Sequence, residues 1–124
     1  MVVTDVLNCQ KDTAKVIIEG KADYLLNVKD NHSTLKQDIE DYVQYNDLRK
    51  NMDTFQTLEK SRDRIERRTA FTAHDIDWLY GKDEWASLLC IGAIHAQFTT
   101  SKGTSDEWHY YISSRKLTAN TVSD

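Results

Sequence analysis

Apolar residues change their spacing once along this chain, and that change restricts what it can fold into. Leu35, Ile39, Tyr42 and Val43 recur at offsets of 0, 4, 7 and 8, the stripe of a helix lying on a sheet. Further on, Ile65, Arg67, Thr69 and Phe71 alternate with Glu66, Arg68, Ala70 and Thr72, the period of two that belongs to antiparallel strands. The chain is therefore expected to begin as α/β and to end as a small antiparallel sheet. With 124 residues and 40% hydrophobic residues it fits one domain with a core of its own.

Local signals place the elements. VVTD at 2–5 is a β-branched run, and Asn8 can cap a helix over Cys9 to Glu19 that buries Ala14, Ile17 and Ile18. Gly20 is expected to close that helix in the left-handed conformation. DYLLNVK at 23–29 is a nearly continuous apolar run, the mark of a strand covered on both faces in a parallel sheet. The second helix should start between Asn31 and Thr34, with Thr34 and Gln37 as a capping box, and stop near Asn46. A short helical segment around Asp83 to Leu88 leads into LLCIGAIHAQF, and the polar stretch SKGTSDE separates that strand from WHYYISS as a hairpin. His95 and His109 would face each other across it.

Charge and cysteine content narrow the function classes without naming one. Sixteen basic and 20 acidic residues give a formal charge of -4, which argues against a protein that coats nucleic acid. The one local basic excess is EKSRDRIERR at 59–68, which reads either as a solvated strand face with cross-strand ion pairs or as a phosphate-facing patch. Cys9 and Cys90 lie far apart without metal-ligand spacing, and both read as reduced, buried thiols. No apolar stretch is long enough to span a membrane, and the first twenty residues lack the pattern of a secretory leader, so the cytoplasm is the expected compartment.

Asp5 ends a strand that enters a helix, and ligands of open α/β sheets gather outside such ends. An Asp there also suits an ordinary turn, so the pattern leaves both readings open. Lys29, Asp30 and Asn31 end the neighbouring strand and should project near Asp5. None of His32, His74, His95 and His109 shows metal-ligand spacing. Trp78, Trp85 and Trp108, with Phe71, Tyr110 and Tyr111, read as core or interface aromatics.

Several strings together resemble one family. VVTDVLNCQKDTAKVIIEGKADYLLNVKDNHSTLKQDI, EKSRDRIERRT, DIDWL, EWASLLCIGAI and HYYISS resemble, in order, segments of the insertion-sequence transposases of the H-repeat-associated type, from the DDE superfamily. The resemblance runs from Val2 to about Leu117. It implies a partial ribonuclease-H-like core of strand–helix–strand–helix over residues 1–50, followed by a mainly β insertion over 51–124. Such enzymes cleave and transfer DNA strands with two Asp and one Glu that hold divalent metal, because two cations can activate the attacking oxygen and stabilise the leaving one. By the matching motif, Asp5 is the second of those acids and a magnesium ligand. Lys29 and Asn31 match the turn after the second strand, with His32 in place of the family's Gln. Arg64, Glu66 and Arg68 match the R-I-E-x-R segment, with Arg67 at its variable position, and Arg62 stands where the family has His; Arg64, Arg67 and Arg68 would contact DNA.

The family's first Asp and its Glu have no counterpart in the matched stretch. The resemblance therefore implies the central fragment of a transposase, inactive alone, which would bind transposon ends in the complete enzyme. A catalytically dead transposase-derived module for nucleic-acid or protein interaction is the alternative. Val2 and Val3 are expected on an uncovered sheet edge, and this edge would favour a homo-oligomer.

Overall fold

The computed structural model describes residues 2–4, 11–28, 33–45, 49–79 and 82–120. Strand β1 (Val2–Thr4) precedes helix α1 (Lys11–Glu19), strand β2 (Tyr24–Val28) and helix α2 (Ser33–Gln44). Four longer strands follow: β3 (Asp53–Ser61), β4 (Arg64–Ala73), β5 (Cys90–Thr100) and β6 (Gly103–Ser113), with a 3-10 turn at Lys82–Glu84 before β5. All six strands form one sheet in the order β1-β2-β6-β5-β4-β3. Only β1 and β2 run parallel; from β2 outward the pairing is antiparallel. The fold is thus mixed α/β, as expected, but the antiparallel strands do not form a small sheet of their own. They make up most of the single sheet, because β6 returns to pair with β2.

Strand alternation sorts the side chains onto two faces. One face carries Leu26, Val28, Phe71, Ala73, Ile91, Ala93, Tyr110 and Ile112, packed against Ala14 of α1 and Leu35, Ile39 and Val43 of α2. This helix face holds the larger core, and the stripe expected on α2 is the one that packs. The other face carries Leu25, Ala70, Cys90 and Ile94, covered by Leu117 and Ala119 from the segment after β6. That segment acts as a strap: the Ala119 backbone N–H donates to the Asp53 carboxylate at 2.8 Å. At its root, Ser113 Oγ donates to the Tyr24 carbonyl and the Tyr24 N–H donates to Ser114 Oγ, each at 2.9 Å. β6 and β2 are locked there by side chains as well as by the ladder.

β4, β5 and β6 are each covered along only part of their length, and β3 is exposed or half-buried throughout. On β4, Thr69 to Ala73 are buried whereas Arg64 to Arg68 are exposed or half-buried, and β5 and β6 change in the same way beyond Ala96 and before Trp108. The sheet therefore extends past its helices and its strap as a solvated blade, built from 57–61, 64–68, 97–100 and 103–107. The expected alternation of β4 fails for this reason, since burial changes along the strand rather than between its faces. The blade ends in two tight turns. Arg62 and Asp63 join β3 to β4; Ser101 and Lys102 join β5 to β6 before Gly103, whose φ of 131° demands glycine.

The helix ends also differ from expectation. The left-handed residue after α1 is Lys21, with φ 61°, and not Gly20. Ala22 N–H bonds to the Ile17 carbonyl at 3.1 Å and Lys21 N–H to that of Ile18 at 2.9 Å, which is a Schellman closure with lysine at the strained position. Lys21→Gly should raise stability by about 1 kcal/mol, because the left-handed conformation costs a lysine roughly that much. Urea denaturation checks this, and unchanged or lower stability would contradict the strain. In α2, Gln37 donates forward to Asp41 at 2.8 Å instead of back to a cap.

Candidate nucleic-acid interface

β1 and β2 run parallel with Val2 opposite Tyr24 and Thr4 opposite Leu26. Their carboxyl ends thus lie at the same edge of the sheet, and these ends immediately precede Asp5 and Lys29 in the chain. Asp5, Lys29 and Asn31 themselves lie outside the described residues. Among the described residues, no group of three His, Cys, Asp or Glu side chains could hold a metal ion. A magnesium site therefore has no support from them. No described helix is long and apolar enough to cross a membrane.

The basic segment forms the β3–β4 hairpin at the tip of the blade, and its three nominated arginines do not share a face. Arg64 and Arg68 point to the strap face with Glu66 between them; Arg67 points to the helix face. The Glu66 carboxylate forms ion pairs with both neighbours, 3.7 Å from Arg64 Nη2 and 3.7 Å from Arg68 Nε. These ion pairs run along one strand, not across strands. The Arg64 guanidinium also stands 4.3 Å from the centre of the Phe98 ring, a cation–π contact that fixes its direction.

Two further features of the helix face follow from the register. His95 pairs with Trp108, and His109 pairs with Ile94 on the opposite face, so the two histidines do not meet. His95 instead stacks on Trp108 at 4.0 Å, and its Nε2 lies 3.0 Å from Asp106 Oδ2. Trp108 in turn stacks with Phe71 and Tyr110, each at 6.1 Å, which carries an aromatic row from the core to the root of the blade. Burial pushes the Tyr110 hydroxyl above its ordinary value, although Gln44 donates to it at 3.3 Å. Burial also raises the Cys90 thiol, which is reduced and enclosed, as expected for that cysteine.

Residue pattern did not disclose one groove. An open depression of about 730 Å³ lies beside the end of β4, lined in part by Tyr42, Asp53, His74, Asp75, Trp78 and Lys116. Trp78 is not a core residue: it is 40% exposed and stacks flat on Tyr42, 4.4 Å between ring centres. Its indole N–H donates to the Asp75 carbonyl at 2.7 Å.

Comparison with known proteins adds what the geometry leaves open. Over 96% of its length the chain is 32% identical to "Putative transposase YncI" of Escherichia coli O157:H7, and 31% identical to "H repeat-associated putative transposase YhhI" of Escherichia coli strain K12. The similarity is to transposase-named proteins. A further relative, "Uncharacterized protein in dhlA 3'region" of Xanthobacter autotrophicus, is 30% identical over 89% of the chain. The chain spans 32 to 37% of the length of these relatives, about a third. No family model matches it, and no solved structure matches it. The transposase-named relatives align with the blade and the α/β part together, so both belong to one related stretch.

Proposed function

We propose that this chain is the central part of a DNA transposase, in which the parallel β1–β2 pair belongs to a ribonuclease-H-like core and the blade contacts DNA. In this reading the complete enzyme cleaves and transfers DNA strands with magnesium. Asp5 supplies one metal-holding carboxylate, and Lys29 and Asn31 meet DNA beside it. The observation that carries the reading is similarity to transposase-named proteins over nearly the whole chain. The parallel strands ending side by side just before Asp5 and Lys29 support it, because sites of open α/β sheets form at such ends.

The test is binding of a fluorescently labelled duplex, followed by anisotropy as salt rises. Two or three phosphate contacts predict a loss of about tenfold to fortyfold in affinity between about 50 and about 200 mM salt, with little dependence on sequence. Absence of any salt-dependent binding would sink the DNA reading. Adding magnesium and supercoiled plasmid separates the remaining cases. Nicking that disappears in Asp5→Asn would place the cleavage chemistry in this chain; binding without nicking fits a part of a larger enzyme, or a transposase-derived binding module.

A further inference from the structure

The charges of the blade are sorted by face. The strap face carries Arg64 and Arg68, but also Glu66, with Glu59 directly opposite Glu66 and Glu107 in register with Arg68 through Ala96. Two guanidinium groups there meet three carboxylates, of which Glu107 lies 3.5 Å from His109 Nε2. The helix face carries Lys60 and Arg67 with Asp106 as its acid, and Asp106 is engaged by His95 at 3.0 Å. Among the described residues neither Lys60 nor Arg67 forms an ion pair. Leu58 lies opposite Arg67 and Ile65 opposite Lys60, and both apolar side chains are unusually open, 51% and 40% exposed.

We infer that duplex DNA is gripped by the helix face of the blade, through Lys60 and Arg67, while Glu66 withholds Arg64 and Arg68 from phosphate. The inference rests on the DNA-binding reading above and names the side and the residues that serve it. A phosphate approaching the strap face meets a net negative surface and must displace Glu66 from two guanidiniums, one of them pinned over Phe98. On the helix face the two cations are diagonal neighbours on adjacent strands, roughly 7–8 Å apart, with no carboxylate between them. Their alkyl stems and the exposed Leu58 and Ile65 supply an apolar floor that can rest against the sugar edge. Glu66 is thus a positioning residue, acting on DNA through the arginines it holds.

The experiment uses the full chain and a labelled random-sequence duplex, with anisotropy read over a range of salt. All substitutions lie on solvated strands or on α1, and circular dichroism confirms that each variant folds. Lys60→Gln with Arg67→Gln should weaken binding at least about tenfold and reduce the salt slope by about 1.8, the loss of two phosphate contacts. Arg64→Gln with Arg68→Gln should change affinity by less than about twofold. Glu66→Gln should tighten binding about threefold to tenfold as two arginines become available, whereas Glu19→Gln, the same charge change on the distant α1, should not. If the wild-type chain binds but the Arg64/Arg68 pair costs as much as the Lys60/Arg67 pair, the assignment of faces is wrong. An unchanged affinity in Glu66→Gln overturns the role given to Glu66. A wild-type chain that does not bind DNA at all removes the DNA reading itself and this inference with it.

Discussion

Ile112→Ala should lower the unfolding free energy by about 3–4 kcal/mol. Ile112 is fully buried on β6, flanked by Leu26 of β2 and Ile91 of β5, and it belongs to the core beneath the helices. Alanine there loses the transfer energy of three carbons and leaves a void that three strands and two helices cannot collapse together to fill. A domain of this size has roughly 5–15 kcal/mol in total, so the variant should unfold at markedly lower urea with an unchanged slope. A loss under about 1 kcal/mol would mean that the helices do not press on the centre of the sheet.

An effect of similar size is expected from a residue outside any strand or long helix. Trp85→Ala should cost about 3–5 kcal/mol. Between β4 and β5 the described residues form no regular element except the 3-10 turn at Lys82–Glu84, yet they bury Ile76, Leu79, Trp85 and Leu88 in the main core. Next to Trp85, the Ala86 carbonyl accepts the Tyr24 hydroxyl at 2.8 Å, which ties the loop to the start of β2. Thermal denaturation and limited proteolysis check the prediction together. If Trp85→Ala keeps its melting temperature and resists cleavage within 74–89, the loop is only draped over the core.

Most of the architecture could be read from spacing because burial imposes it. The stripe on α2 and the apolar run of β2 are direct imprints of the surfaces they cover, and both were legible. The blade was legible only in part: 59–68 reads, as one alternative, as a solvated strand face, but a strand covered on neither face has no burial pattern to mark its length. SKGTSDE therefore read as a separator, although Gly103 to Glu107 belong to β6. Without that strand the register of the hairpin was open, and His95 and His109 were set opposite each other instead of one pair apart on opposite faces. The arginines suffered from the same gap: their number was visible, but their division between two faces and their capture by Glu66 depend on register. Gly20 and Lys21 show a smaller limit, because the position of a helix end by one residue decides which of them takes the left-handed conformation. The strap after β6 was missed for want of length, as Leu117 and Ala119 are too few to form a periodic signal. Asp5, Lys29 and Asn31 remain readings of motif and strand order.

A sheet that is rooted in a core and finishes in water behaves mechanically as a cantilever. At the root, side chains interlock on both faces and resist bending; at the tip, the ladder hydrogen bonds are joined only by exposed side-chain pairs such as Arg64 with Glu66 and Phe98. β4, β5 and β6 pass from tip to root without a break, so a load applied at the Arg62–Asp63 turn is not absorbed at a hinge. It travels as torque along the strands to β6, and from there across the Ser113–Tyr24 lock to β2, the strand whose far end leads into Lys29. Whatever takes hold of the distal turns thereby pulls on β2, whose carboxyl end at Val28 runs back beside Tyr110 toward the root of the blade.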